Sequence, residues 1–339
     1  MTHPSPFGLH PLAGRFNALD PAHVSQAVEV DGRRTTGRFV VLNSYENRVY
    51  ALELDDESEV VGKFYRPGRW SRDAILDEHD FLIDLEEADV PVVAPLELDD
   101  DGETLGELTG DAAGILYAVF PKVAGRAPQE FDDDQLRIVG AELARLHDVG
   151  EAGEAPDRPE MTPEVYGMAN LAFLLDNDVL PIEVRDGYAR TVEALVERIE
   201  PLFLDVPTHR IHGDCHPGNL LWTREGPVFL DFDDMVIGPA VQDVWMLVPS
   251  YDAEGARQRA VLLEAYTEMR DFSPHWLRLV EPLRALRFVH YAAWIARRWD
   301  DPTFKRTFGH FGTLRYWQQE MLDLREQIAR IDAEADAHR

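Results

Sequence analysis

From Gly37 onward the apolar and polar positions fall into strand-like stretches. Residues 38–42, 48–54 and 59–65 read as three strands, the last two alternating in character, joined by short polar connections into an antiparallel meander. Ahead of them, residues 21–30 are amphipathic, with Asp20 placed to cap a helix and Pro21 at its first position. Behind them, residues 70–88 carry helical spacing, with Ser71 as N-cap and Ile75, His79, Leu82, Ile83 and Leu85 facing inward. Residues 91–95 and 114–120 read as a fourth and a fifth strand, and residues 121–126 show no periodicity.

After that break the spacing becomes mainly helical. Residues 134–149 place Leu136, Val139, Leu143 and Leu146 on one stripe and are expected to end at Gly150. Further helical stretches cover about 165–177, 182–198, 253–269, 275–298 and 312–331. Between them, two short apolar runs, 220–222 and 228–230, flank the turn-like Arg224-Glu225-Gly226-Pro227 and predict a hairpin. Gly238-Pro239 reads as a turn into the apolar segment 241–247. No period of 20 to 50 residues recurs, which argues against a repeat architecture. The pattern therefore predicts an α+β chain of two lobes: a small antiparallel-sheet N-lobe (1–120), a hinge (121–126) and a larger, mainly helical C-lobe (127–339).

Composition narrows the possibilities. The 339 residues, 45% of them hydrophobic, suffice for two cores. The N-terminus has no basic region followed by an apolar run, and no stretch approaches 18 uninterrupted apolar residues, so we expect a cytoplasmic chain without a membrane span. The lone cysteine, Cys215, excludes an intramolecular disulfide. A formal charge of −30 disfavours nucleic-acid binding, since it would repel a phosphate backbone. It reads more simply as a soluble surface than as steering of a cationic partner. We expect a monomer. Lys63, Lys122 and Lys305 are the only lysines among 33 basic residues, so a lysine at a strand end stands out.

The chemistry gathers at His209 to Asp234. Asp214 and Asn219 lie five residues apart, and Asp231 follows across the hairpin, which brings Asn219 and Asp231 to one open end. One amide and one or two carboxylates suit Mg²⁺, which completes its shell with water and substrate phosphates. Asp214 can then orient or deprotonate a hydroxyl, which is a phosphotransferase arrangement. Lys63, at the end of the third strand, can reach the phosphates of ATP if Glu78 on the following helix pairs with it; taken alone, Glu78 would read as a solvated helix face, and it is Lys63 upstream that favours the ion pair. Ser44, in the polar loop 43–47, can bond phosphate oxygens, although that loop lacks the glycines of ordinary protein kinases. An adenine ring against the hinge would meet backbone groups near Phe120 and Val123.

With these elements in order, His212-Gly213-Asp214-Cys215-His216-Pro217-Gly218-Asn219 resembles the aminoglycoside phosphotransferase and choline kinase-like group of the protein-kinase fold. Segments 42–50, 63–67, 238–243, 281–285 and 294–299 are similar to its bacterial stress-response Ser/Thr protein kinases, over nearly the whole chain. The resemblance implies ATP- and Mg²⁺-dependent phosphorylation of a protein Ser or Thr, with Asp214 and Asp231 catalytic and Asn219 and Asp231 on the metal. It also implies a phosphate contact at Ser44 and an adenine floor at Leu221. Asp233 stands where typical protein kinases have glycine and can contribute to a second metal position. Asp243 is expected to anchor the catalytic loop through backbone N–H groups.

Other readings of the same residues remain. A small-molecule acceptor of the aminoglycoside, choline or homoserine kinase type would use the same stretch, and a nucleotide-binding scaffold without turnover is the third possibility. His209, His212, Cys215 and His216 match no closed zinc pattern, and His212 is better read as a brace for the loop. Cys215 is expected as a buried small hydrophobe, and the aromatics of 288–299 as core packing.

Overall fold

The computed structural model describes residues 16, 18–30, 32–42 and 44–337. Helix α1 (Pro21–Val28) begins where the cap signal predicts: Asp20 accepts a hydrogen bond from His23 N at 2.9 Å. Strands β1 (Thr35–Leu42), β2 (Arg48–Leu54) and β3 (Glu59–Phe64) form the expected meander. The two-residue β4 (Gly106–Glu107) and β5 (Leu116–Pro121) complete a sheet of order β1-β2-β3-β5-β4. Val24, Ala27 and Val28 of α1 seal one face against Leu52, Leu54, Val60 and Val119.

The segment 91–95, expected as a strand, forms no ladder. Pro91 and Pro95 have no N–H to give, and the stretch is fixed by single bonds, from Phe229 N to Pro91 O at 2.8 Å and just beyond it from Leu96 N to Val119 O at 2.7 Å. Helix α2 (Arg72–Glu87) is capped by Ser71, whose Oγ accepts from Ala74 N at 3.0 Å. It buries Ile75, His79, Leu82 and Leu85 as its spacing predicts, leaves Ile83 half-buried, and also buries Glu78.

In the C-lobe, α3 (Asp133–Ala152) opens with a capping box between Asp132 and Gln135. It does not stop at Gly150. A Cβ there would lie 2.1 Å from Arg210 O, so the glycine serves a close crossing of helix and strand rather than a helix end. The expected helix at 165–177 is a π turn (Glu164–Met168) followed by α4 (Ala169–Asp176), and α5 (Ile182–Phe203) runs five residues longer than its pattern. Strands β6 (Thr208–Ile211), β7 (Leu220–Trp222), β8 (Pro227–Phe229) and β9 (Val236–Pro239) follow. β7 and β8 make the expected hairpin, whereas Gly238-Pro239, read as a turn, closes a strand that pairs with β6.

Helices α6 (Val241–Leu247), α7 (Ala253–Thr267), α8 (Val280–Arg297), α9 (Pro302–Thr307) and α10 (Leu314–Ala337) complete the fold. One core lies beneath the hairpin, among α3, α6 and α7, and a second joins α4, α5, α8 and α10. Ala285, Leu286, Val289, Ala292 and Ala293 of α8 are buried in the second core, so most of that helix packs as expected. Phe288, Trp294 and Trp299 pack against that core as expected, whereas Tyr291 is absent from it and stacks on Trp294 at 5.5 Å on the wall of a cavity. Among the described residues no helix is long and apolar enough to cross a membrane.

Candidate active site

The β3–α2 pairing meets the β7–β8 hairpin at one cluster of charges. Lys63 Nζ lies 2.9 Å from Glu78 Oε1, 3.3 Å from Asp233 Oδ1 and 3.6 Å from Asp231 Oδ1. Burial pushes the Lys63 ammonium toward neutrality, but Asp233 and Glu78, with Tyr65 and Asp231, outweigh it and hold the pKa well above the ordinary value. The other oxygen of Glu78 takes Arg158 Nη2 at 3.1 Å, so Glu78 is a buried two-armed anchor and not a solvated face. Arg158 also donates to Ala74 O at 2.6 Å and to Asp233 O at 2.8 Å, which ties α2 to the segment after the hairpin. Beneath Lys63, Tyr65 OH meets His79 Nε2 at 2.9 Å and His79 Nδ1 meets Thr104 at 2.8 Å; burial, helped by Lys63 and Arg158, lowers the His79 pKa to about 3 and keeps the ring neutral.

Asp231 stands at the exit of the hairpin with φ 60° and ψ 66°, a left-handed conformation that Asp tolerates better than most residues. That turn aims its half-exposed carboxylate toward Lys63, while the next acids diverge. Asp233 is buried on Lys63 and Arg69 and does not line the cavity; Asp234, also paired with Arg69, does. The Asp234 carboxyl is pushed up to about 6, by desolvation first and then by Asp214, Asp233 and Asp231, with Arg69 opposing.

The loop that carries Asp214 is held from several sides. Asp243 accepts from His212 N and Gly213 N, each at 2.9 Å, which is the anchoring its position implied. His212 Nε2 contacts Leu230 O at 2.8 Å, the bracing role expected for this ring. Gly213 adopts φ +82°, and a Cβ there would lie 2.2 Å from Asp234 O. Cys215 is buried and, by that burial, its thiol pKa is raised well above the usual range. Asn219 Nδ2 donates to Asp214 O at 3.0 Å, leaving the amide oxygen as the end available to a cation.

A cavity of about 520 Å³ contains Ser44, Asp214, Asn219 and Asp231 in its lining, together with Arg287, Tyr291 and Trp294 of α8. Ser44 Oγ accepts from Asn47 N at 3.1 Å and so shapes its own loop. Phe120, Val123 and Leu221 lie apart from this cavity. Phe120 sits edge-on to His79, and Leu221 borders Gly125 just below the segment 121–126, which an antiparallel bridge from Arg126 to Trp222 joins to the hairpin. Thus the structure gathers Lys63, Glu78, Asp231 and Asp233 in one cluster, with Ser44, Asp214 and Asn219 in the adjoining cavity, and leaves Phe120, Val123 and Leu221 in or beside the segment 120–126.

Sequence reasoning missed Glu46, Arg69, Arg158, Asp234 and Arg287. Each pairs with residues far along the chain, and the only hint was compositional: a chain with thirty arginines among 33 basic residues uses guanidinium for its buried ion pairs.

The oxygen donors Asn219 and Asp231 fit a hard divalent cation, and the Lys63–Glu78 pair fits a nucleotide's phosphates. The profile of the phosphotransferase enzyme family matches residues 39–280. Stress response kinase A of Salmonella paratyphi A is 39% identical over 313 residues, covering 92% of this chain and 93% of that protein. The serine/threonine protein kinase RdoA of Salmonella typhimurium is 38% identical over the same shares. Among solved structures, an amicoumacin kinase in complex with AMP-PNP and Ca²⁺ is similar with a TM-score of 0.72 at 19% identity, covering 92% of this chain and 96% of that one. A microcompartment-associated aminopropanol kinase is similar with a TM-score of 0.65 at 19% identity, covering 94% and 98%.

Proposed function

Because this chain belongs to the phosphotransferase enzyme family and is a kinase of two-lobed fold, we propose that it is an ATP- and Mg²⁺-dependent Ser/Thr protein kinase of the bacterial stress response, working in the cytoplasm. The observation that carries the reading is the Lys63–Glu78 ion pair at 2.9 Å, with Asp231 and Asp233 within 3.6 Å of the same ammonium and Asp214 beside them in the adjoining cavity. The protein-acceptor part rests on a relative named as a serine/threonine protein kinase, and the stress-response part on one named stress response kinase A, each similar over 92% of the chain.

In this reading residues 1–120 form the N-lobe, 121–126 the hinge and 127–339 the C-lobe. ATP lies with its adenine between the backbone near Phe120 and Val123 and the side chain of Leu221, and with its phosphates toward Ser44 and Lys63. Asn219 and Asp231 hold the metal, with Asp233 as a further carboxylate nearby. When bound there, the ion would neutralise charge that develops on the phosphate in transfer. Asp214 orients the acceptor hydroxyl and receives its proton. Catalysis is mainly positioning and charge stabilisation.

One observation favours a second reading, a small hydroxyl-bearing acceptor: the cavity beside Asp214 is compact, about 520 Å³, with Tyr45, Tyr291, Trp294 and Phe308 in its wall. Labelled ATP with Mg²⁺ separates the two when offered alone, with a basic protein, and with a panel of aminoglycosides and small alcohols. Label in protein supports the Ser/Thr kinase. Label in a small alcohol or amine only would overturn it, and no label anywhere would favour a scaffold without turnover.

A further inference from the structure

The carboxylate of Asp214 is already engaged by a residue outside the catalytic loop. Arg287, on α8, brings Nη1 to 2.8 Å from Asp214 Oδ1, while His216 Nε2 stands 3.5 Å from Oδ2. Oδ1 is closed off from solvent, yet it receives no aligned hydrogen bond. Arg287 therefore covers the oxygen and balances its charge without filling the directional position that an acceptor O–H would take. The neighbouring cations have other buried anchors: Lys63 is on Glu78, Arg158 on Glu78 and backbone carbonyls, and Arg69 on Asp233 and Asp234. Arg287, by contrast, keeps 38% of its side chain exposed and lines the acceptor cavity with Asp214. Because Arg287 already reaches water along its side chain, a guanidinium that swings off Oδ1 is rehydrated, and the acceptor hydroxyl takes its place on the otherwise buried oxygen.

We infer that Arg287 is a positioning residue that gates Asp214, covering its Oδ1 until an acceptor hydroxyl displaces the guanidinium, and so keeps water from being used as the acceptor. The inference rests on the reading of Asp214 as the group that receives the hydroxyl proton. In transfer, the acceptor oxygen forms a bond to the γ-phosphorus of ATP as the β–γ bridging P–O bond breaks. The acceptor proton passes to Asp214, and ADP leaves. Water can undergo the same exchange, giving phosphate, wherever it reaches Oδ1. A gate that opens only for a bound acceptor suppresses that loss.

The test uses the full chain with Mg²⁺-ATP and water as the sole acceptor, and measures ADP release. Arg287→Met keeps the aliphatic stem and removes the charge, Arg287→Ala removes both, and Arg287→Lys keeps a cation. If the gate operates, the Met and Ala variants release ADP about three- to tenfold faster than the parent, with KM for ATP changed less than about twofold. The Lys variant stays near the parent, and adding Asp214→Asn to Arg287→Met cancels the gain. A folded Arg287→Met protein with unchanged or slower ADP release overturns the gate, even if Arg287→Ala does not fold. Asp214→Asn alone hydrolysing ATP as fast as the parent overturns the reading of Asp214, and the gate with it.

Discussion

Trp294 Nε1 donates to Glu46 Oε2 at 2.9 Å, joining α8 to the loop between β1 and β2 across 248 residues of chain. The same carboxylate lies 2.5 Å from Arg298 Nε and 3.0 Å from Arg66 Nε, and Arg66 continues to Asp301 at 3.1 Å. In the proposed reading the loop meets phosphate, which an unbalanced acid there would repel. Here the charge of Glu46, in the lining of the cavity, is balanced by Arg66, Arg69 and Arg298, and Tyr45 packs beside Phe308. The loop is thereby clamped to the wall of the cavity that Asp214 lines.

Glu46→Ala would leave Arg66 and Arg298 buried without their shared anion. Breaking a buried pair from one side costs about 3–5 kcal/mol, so denaturant unfolding should move by that order. If the clamp also sets the loop for ATP, KM for ATP rises severalfold while the KM of a good acceptor changes less. Unchanged stability and unchanged KM together would show that the clamp has no energetic role.

Glu46 and Asp233 are also expected to contribute to the acid limb of stability. Burial opposes ionisation of Glu46, but Arg298, Arg69 and Arg66 hold its carboxyl below the ordinary 4.5; Asp233 is held below 3.8 against burial by Arg69, Lys63 and Arg158. A depressed folded pKa contributes stability that is complete above the unfolded value and is lost as pH falls through the folded one. Urea unfolding should therefore lose this contribution only below about pH 4.5, on the ordinary carboxylate range. Glu46→Gln and Asp233→Asn should each flatten the acid limb, and an acid limb unaltered in both variants would contradict the assignment.

The outline of the site was legible because it is built from local spacing. Asn219 and Asp231 flank a hairpin, so spacing brings them close; Lys63 and Glu78 sit on a strand and the helix after it, and their pairing was read from what a phosphate-binding lysine requires. Its supports were not legible. Arg69 meets Asp233 across 164 residues, and no local pattern carries such a pairing. Which of Asp233 and Asp234 lines the cavity depends on the left-handed turn at Asp231, a conformation that residue spacing does not report. The misread strand at 91–95 had β-branched residues between two prolines, and the prolines decided it. Gly150 was read as punctuation, whereas its missing side chain admits Arg210 O.

Asp214 and Asp231 should separate by kinetic signature. Asp214→Ala is expected to lower kcat by about 10²–10⁴ while nucleotide binding stays close to that of the parent. Asp231→Ala should also weaken Mg²⁺-ATP binding, because it removes a proposed metal ligand and one of the carboxylates facing Lys63. Isothermal titration with and without Mg²⁺ reads the difference. Full turnover in Asp214→Ala would remove it from the chemistry.

Behind the catalytic loop stands a buried relay whose order predicts the ranking of a last set of variants. Asp243 is fully buried and accepts from His212 N and Gly213 N, and His147 Nε2 lies 3.1 Å from its Oδ2. Burial lowers the His147 pKa despite Asp243, so the ring is neutral. With its one proton on Nε2 toward the carboxylate, Nδ1 must accept from Tyr266 OH at 2.9 Å. Asp243→Ala would leave two buried N–H groups without acceptors, at about 1–3 kcal/mol each, and release the backbone that carries Asp214. Asp243→Asn retains one acceptor oxygen, while its NH₂ group opposes a second N–H. His147→Gln removes only the outer link. The fall in kcat should run Asp243→Ala, then Asp243→Asn, then His147→Gln, with KM for ATP nearly constant across the folded variants. The reverse order, or a KM effect as large as the kcat effect, would mean that Asp243 acts through something other than the position of Asp214.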